Sequence, residues 1–190
     1  MKNIFLSIIL FVTNVFVSHS QITASTPIIP LNFPNAFDYK ITDSNKYFKD
    51  VYNTYNPWIG TWKYVNGNTE FRITIQKVEA VYIPSGTFNI PINCYRDLLN
   101  GGYYYQENGI IKTNHLTYTN QLKAPLRCYG NYPFPTKVRI YYDEIDKPQL
   151  RGTYVELTLL PGSTTQASWV LDPSYRRNFS VPDNVILTKL

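Results

Sequence analysis

The sequence has little of the residue chemistry that metal, redox and hydrolytic sites use. It contains two cysteines, two histidines and one methionine in 190 residues, with no Cys-x-x-Cys pair. Structural zinc sites use about four Cys or His ligands, so we do not expect a metal centre. No Gly-x-Ser-x-Gly motif marks a nucleophilic serine. We therefore predict a protein that is not an enzyme and needs no cofactor.

Concentrated charge and long apolar runs are also scarce. The net charge is +5, but the basic residues are scattered and only Arg176 and Arg177 are adjacent. Nucleic-acid-binding proteins gather basic residues into a patch or stripe, so nucleic acid is not an expected partner. The one apolar run, residues 4–17, is shorter than the roughly 20 residues of a membrane-spanning helix. We predict a chain that is soluble once its leader is removed and does not span a membrane.

The apolar run belongs to a predicted signal peptide, residues 1–20. Lys2 supplies the basic start, and the small residues Ser18 and Ser20 precede a cleavage site before Gln21. The pattern predicts export to the periplasm, or to the outside, of a Gram-negative bacterium.

Two segments follow the leader. Residues 21–42 hold three prolines without hydrophobic periodicity, which predicts an extended arm. Residues 43–190 are predicted to form one domain. Within it, the polar residues 43–45 are suited to cap a short helix over residues 46–52, which has the apolar stripe of an amphipathic helix.

Residues 58–65 have the alternating pattern of a β-strand, because side chains at every second position share a face. Trp58, Gly60, Trp62 and Tyr64 lie on one face. Asn66 and Gly67 predict a type I′ hairpin turn. The return strand, residues 69–78, then alternates apolar and polar residues.

Further strands and turns follow to the end of the chain. Asn108 and Gly109 predict a second type I′ turn. Strands are predicted at residues 81–83, 87–94, 102–106, 110–118, 137–142, 150–160, 166–171 and 184–190. Regular short strands are typical of a barrel or a sandwich. We predict an all-β fold, a single antiparallel up-and-down β-barrel of about 8–10 strands, with the short N-terminal helix.

The motif Gly60-Thr61-Trp62, after a helix candidate and before a series of hairpins, resembles the start of a lipocalin or related calycin barrel. That resemblance implies that Gly60 and Trp62 form a structural plug at the closed end of the barrel. It also implies a basic residue from a late strand against the Trp, with Arg139, Arg151 and Arg177 as candidates. The Thr-Asp-Tyr motif of many lipocalins is absent.

A narrower resemblance covers most of the mature chain. The leader, residues 59–63, residues 101–105 with Asn108 and Gly109, and residues 184–189 resemble an uncharacterised family of exported bacterial lipocalin-like proteins. This resemblance implies the same barrel and carries no known activity.

Cys94 and Cys128 both remain after cleavage of the leader. An even number of cysteines in an exported chain predicts a disulfide between them. The alternative is a pair of buried free thiols.

Tyrosine is abundant, with 17 residues, and its ring has an apolar face and a polar tip. The residues that we predict to line a ligand cavity are Trp58, Tyr64, Tyr103, Tyr105 and Tyr142. Ordinary packing of a barrel core is the alternative interpretation of the same residues.

The other polar candidates are interpreted as structural. His115 has no partner that the sequence identifies, which is typical of a polar strand residue. Asp143, Glu144 and Asp146 lack the longer ligand pattern of a calcium loop, which indicates a solvated turn.

Three functions remain open on these observations. The first is binding of a small apolar or amphipathic ligand in a barrel cavity. The second is a structural or interaction protein of the cell envelope, whose barrel is filled by its own side chains and acts through its surface. The third is an envelope enzyme or inhibitor acting on glycans, which would need two carboxylates facing each other across a cleft.

Overall fold

Alternating apolar and polar residues fold most of the chain into β-strands. The computed structural model describes residues 22–31, 43–87, 90–128, 133–134, 136–147, 152–174 and 179–190. The predicted signal peptide lies outside these residues. The strands are β1 (Ile28–Pro30), β2 (Tyr47–Lys49), β3 (Gly60–Asn66), β4 (Thr69–Ile83), β5 (Cys94–Glu107), β6 (Ile110–His115), β7 (Leu126–Cys128), β8 (Pro133–Phe134), β9 (Lys137–Tyr142), β10 (Thr153–Leu159), β11 (Gln166–Leu171) and β12 (Asn184–Lys189).

Eight of these strands close into an antiparallel barrel. Their order is β3, β4, β5, β7, β9, β10, β11 and β12, and β12 pairs with β3 to complete the circle. The short strand β7 joins β5 to β9. Closure leaves no unpaired edge within the barrel. The predicted all-β barrel fold is confirmed.

Three further strands extend the sheet along β5. Near its start, β5 pairs with β2 in parallel, and β2 pairs in parallel with β1, which comes from the predicted extended arm. Near its end, β5 pairs with β6 across the loop of Asn108 and Gly109. Both loop residues have positive φ, as a type I′ turn requires.

The first hairpin turn lies one residue later than predicted. Asn66 pairs with Thr69, so the two loop residues are Gly67 and Asn68. Gly67 has a φ of 56°, which is the glycine-first pattern of a type II′ turn.

The predicted N-terminal helix is wrong. Residues 47–49 form β2, and the helical segments at Asn56–Trp58 and Gln121–Lys123 are three-residue 3-10 turns. No helix among the described residues is long and apolar enough to cross a membrane. Tyr47 and Phe48 are adjacent and both buried, because β2 is covered on both of its faces. Tertiary pairing with β5 therefore outweighs the helical periodicity of this segment.

Aromatic side chains occupy the barrel interior. Phe71 packs on Trp169 with ring centroids 4.9 Å apart, and Trp169 lies 6.1 Å from Tyr142. Tyr142 in turn lies 5.1 Å from Tyr103. All four are fully buried. These rings, with aliphatic side chains from the facing strands, form one hydrophobic core that fills the barrel.

Candidate functional site

The five residues predicted to line a ligand cavity belong to the packed core. Trp58, Tyr103, Tyr105 and Tyr142 are buried, and Tyr64 is partly buried against the same cluster. Burial raises the pKa of Tyr103 and of Tyr105 to about 12. The structure therefore places these residues where ordinary core packing would place them, and their role in binding a ligand stays a prediction.

Chain segments also cover the end of the barrel at which β9 finishes. Phe179 packs on Tyr142, with ring centroids 5.2 Å apart, and Val181 is buried beside it. The backbone N–H of Ile145 donates to the hydroxyl of Tyr103 at 3.3 Å. A ligand entering from this end would have to displace these contacts.

The other end of the barrel, which we call the closed end, is plugged by two tryptophans. Trp62 is fully buried, and its Nε1–H donates to the backbone carbonyl of Trp58 at 2.9 Å. The two rings lie 6.4 Å apart. Trp58 is the last residue of the 3-10 turn that leads into β3. Trp62 is thus buried at this end of the barrel, and its role as the plug implied by the lipocalin resemblance stays a prediction.

The basic residue against Trp62 is Lys189, which the sequence reasoning missed. Its Nζ lies 5.3 Å from the centre of the Trp62 ring and donates to the carbonyl of Pro57 at 2.9 Å. Of the predicted candidates, Arg139 stacks on an outward-facing tyrosine, and Arg151 lies outside the described residues, as does Arg177. The last strand, β12, pairs with β3 in a register that places Lys189 opposite Trp62. The sequence alone does not specify that register, so it did not identify the lysine.

Gly60 makes room for this lysine. A Cβ at Gly60 would lie 3.0 Å from Cε of Lys189, which is closer than such contacts normally are. Gly60 also has a φ of +130°, a backbone conformation that other residues rarely adopt. The glycine of the Gly-x-Trp motif therefore lets the lysine stem cross β3 and bring its ammonium to the indole.

A surface pocket of ≈ 900 Å³ lies over the closed end, with Lys189 in its lining. Leu159, Leu160, Pro57 and Pro161 supply apolar surface. Burial lowers the pKa of Lys189. Among the described residues, no carboxylate lies within ion-pair distance of its ammonium. A cation beside apolar walls is suited to an anionic head group attached to an apolar body.

Comparison with known proteins places the chain in a family. A family model described as a family of unknown function, DUF6705, matches residues 1–190. The chain belongs to this family. No curated protein and no solved structure matches it. The membership carries no activity, so the function of this DUF6705 chain has to be argued from its geometry.

A buried carboxylate cluster, also missed from the sequence, fixes β2 to β5. Asp97 accepts hydrogen bonds from the hydroxyl of Tyr47 at 2.5 Å, from the N–H of Asp50 at 3.0 Å and from the N–H of Ala80 at 3.1 Å. The ammonium of Lys77 lies 3.6 Å from Asp97 and 3.7 Å from Asp50. Every oxygen of Asp97 is thus engaged by the protein, which indicates a structural role.

The predicted disulfide is not formed, and Cys94 and Cys128 are buried free thiols. Cys128 pairs with Leu99, which lies five residues beyond Cys94 on β5. At about 3.3 Å per residue this places the cysteines roughly 16 Å apart along the strand. A disulfide needs Cα atoms about 4.4–6.8 Å apart. Burial raises the pKa of Cys94 to about 12.

His115 has a partner that the sequence did not identify. Its Nε2 lies 2.9 Å from Oδ1 of Asp146. The nearby Thr113 hydroxyl and the His115 ring lower the pKa of Asp146. The pair ties β6 to the turn after β9, at the end of the barrel away from the Lys189 pocket.

The acidic turn is only partly solvated. Glu144 is buried and accepts the N–H of Ser180 at 3.0 Å, whereas Asp143 pairs with Arg127 at 3.2 Å. Each carboxylate of the turn therefore holds a neighbouring segment of the fold. Such contacts favour a structural role for the turn, as they do for Asp97.

Proposed function

We propose that this chain is an exported, non-enzymatic, lipocalin-like protein that binds an amphipathic anion in the pocket beside Lys189. The observation that carries the proposal is an ammonium that contacts a carbonyl and an indole ring at the edge of an apolar pocket. The closed eight-stranded barrel and the Gly60–Trp62 plug support the lipocalin-like part of the proposal.

Charge supports an anionic head group. Burial disfavours the charged form of Lys189, and a carboxylate from a ligand would offset that cost. Charge-assisted hydrogen bonds are about twice as strong as neutral ones. The hydroxyls of Ser163, Thr164 and Thr165 also line the pocket and can bond to the same head group.

The apolar wall supports a hydrocarbon body. Leu159 and Leu160 end β10 and begin the following turn, and Pro161 continues that wall. Each buried CH₂ contributes about 0.8 kcal/mol, which corresponds to about a fourfold gain in affinity. Affinity should therefore rise with chain length until the wall is covered.

This proposal moves the ligand from the barrel interior to the outside of its closed end. The interior that was expected to hold the ligand is occupied by Phe71, Trp169, Tyr103 and Tyr142. The same filled interior favours the second candidate function, a structural or interaction protein of the cell envelope that acts through its surface.

Calorimetric titration with dodecanoate, below its micelle concentration, tests the proposal. We expect one dodecanoate per chain, weaker binding of decanoate, and much weaker binding of the uncharged dodecanol. Lys189→Met keeps the aliphatic stem and removes the charge, so it should weaken dodecanoate binding about 10- to 100-fold.

The matched control is Lys63→Met, because Lys63 projects from β3 and pairs with Glu70 at 2.9 Å. This variant should bind dodecanoate as the unchanged chain does. The proposed pocket would be rejected if the Lys189 and Lys63 variants bound dodecanoate equally well, or if dodecanoate did not bind at all. The second candidate function, a structural or interaction protein that acts through its surface, would then remain. Unfolding curves would confirm that both variants are folded at the titration temperature.

A further inference from the structure

Three arginines among the described residues stack on tyrosines on the outer wall of the barrel, and their surroundings differ. The guanidinium of Arg127 lies 4.9 Å from the ring centre of Tyr141 and pairs with Asp143. The guanidinium of Arg72 lies 5.3 Å from the ring centre of Tyr104, and that of Arg139 lies 4.2 Å from the ring centre of Tyr154. Arg72 also forms an ion pair with Glu70. Among the described residues, Arg139 has no carboxylate within ion-pair distance.

The acidic residues near Arg139 are engaged elsewhere. Glu156 is its register partner on β10, but the ammonium of Lys137 lies 2.6 Å from the Glu156 carboxylate. Asp172, at the rim of the same groove, accepts the N–H of Ser174 at 3.0 Å. The fork of N–H donors on Arg139 is therefore not used by these carboxylates.

Packing fixes the Arg139 stack in place. Tyr154 meets the edge of Tyr141, with ring centroids 5.5 Å apart. The Tyr141 ring lies so close to Gly152 that a Cβ there would be 2.3 Å from it. A glycine thus allows Tyr141 to lie along the wall and support Tyr154, which in turn holds the plane of the guanidinium.

Arg139 and Tyr154 line an open groove of ≈ 440 Å³ on the outer face of β9, β10 and β11. Lys137 and Glu156 supply the polar part of its lining, and Val170 and Pro173 supply apolar surface. No residue is shared with the lining of the Lys189 pocket. The groove is a second concave site with a different chemistry.

We propose that this outer groove binds an oxyanion, a carboxylate or phosphate carried by a polar ligand, through Arg139. A planar guanidinium matches such an anion with two parallel N–H···O bonds, and stacking on an aromatic ring holds it ready for that geometry. Lys137 adds a second positive charge, which its pair with Glu156 largely balances. Arg139 is therefore the specific contact, and Tyr154 is its positioning residue.

Titrations with inorganic phosphate and with glucuronate test the proposal and distinguish the two anions. Ionic strength is held constant with sodium chloride, because salt screens exposed charges. Arg139→Lys keeps the charge but loses the fork, and we expect it to weaken binding of the preferred anion about tenfold. Tyr154→Leu should weaken it as well, whereas Tyr154→Phe, which keeps the ring, should not.

Arg72→Lys is the matched control, because Arg72 is also stacked on a tyrosine but is occupied by Glu70. It should leave the affinity unchanged. The proposal would be overturned if neither anion bound more tightly than chloride. It would also be overturned if the Arg139 and Arg72 variants lost the same amount of affinity. Dodecanoate binding should be insensitive to Arg139→Lys, so the two sites can fail independently.

Discussion

Replacing Asp97 by Asn should destabilise the fold although the two side chains have nearly the same shape. One carboxylate oxygen of Asp97 accepts both the Tyr47 hydroxyl and the N–H of Ala80, and the other accepts the N–H of Asp50. An amide can accept at one of these positions only. Its NH₂ group would then face a donor, and the attraction to Lys77 would be lost as well.

The expected loss of stability in Asp97→Asn follows from these contacts. Loss of a hydrogen bond to a charged group costs about 1.5–3 kcal/mol, and a donor left without a partner adds to that cost. We expect Asp97→Asn to lower the free energy of unfolding by about 2–4 kcal/mol. The total stability of a domain is about 5–15 kcal/mol, so the variant should still fold.

Urea unfolding followed by tryptophan fluorescence measures this change. Glu79→Gln is the control, because Glu79 contacts the same lysine at 3.3 Å but its side chain is 60 % exposed. Exposed ion pairs contribute at most about 1 kcal/mol, so this variant should unfold close to the unchanged chain. A loss below about 0.5 kcal/mol in Asp97→Asn would refute the idea that the carboxylate anchors β2.

Four shorter predictions follow from the same structure. Trp62→Ala should lower the free energy of unfolding by about 3–5 kcal/mol, since it empties the closed end; a loss below about 1 kcal/mol in urea would contradict the plug. Ala80→Gly should raise the free energy of unfolding by about 0.5–1 kcal/mol, because Ala80 has a φ of 58° that glycine adopts freely. Cys94 and Cys128 should react with a thiol reagent only after unfolding, and a reductant should leave the melting temperature unchanged. The pKa of Asp146 is lowered in the folded protein. Its carboxylate should therefore stabilise the fold at pH values above its ordinary pKa of 3.8, and this stability should be lost as the pH falls through the folded pKa. The Asp146→Asn variant should not show this acid-dependent loss.

The sequence predicted the elements whose signals are local. The alternation around Trp62 and Phe71 specifies one buried face for each strand of the first hairpin, and a hairpin needs no distant partner to set that pattern. The positive φ required at Asn108 and Gly109 is a property of those residues themselves. Closure of the barrel could also be anticipated, because many short strands leave edges that closure removes.

The features that were missed depend on residues far apart in the chain. Tyr47 and Phe48 fit a helical stripe equally well, and only the edge of β5 decides that they form a strand. Asp97 lies between the predicted strands of residues 87–94 and 102–106, where no strand was predicted, and it is buried in β5 beneath β2. The partner of Trp62 had to be chosen among basic residues of late strands, and a register that places Lys189 opposite it becomes visible only once the barrel is closed.

The amino-acid composition does not show whether the interior of the barrel is hollow or filled. An inward-facing tyrosine produces the same alternation whether its ring contacts a ligand or another ring. The distances decide it, since Tyr103, Tyr142 and Trp169 form a continuous chain of contacts across the interior. The two proposed sites lie on the outside of the barrel, and among the described residues neither Lys189 nor Arg139 has a carboxylate within ion-pair distance.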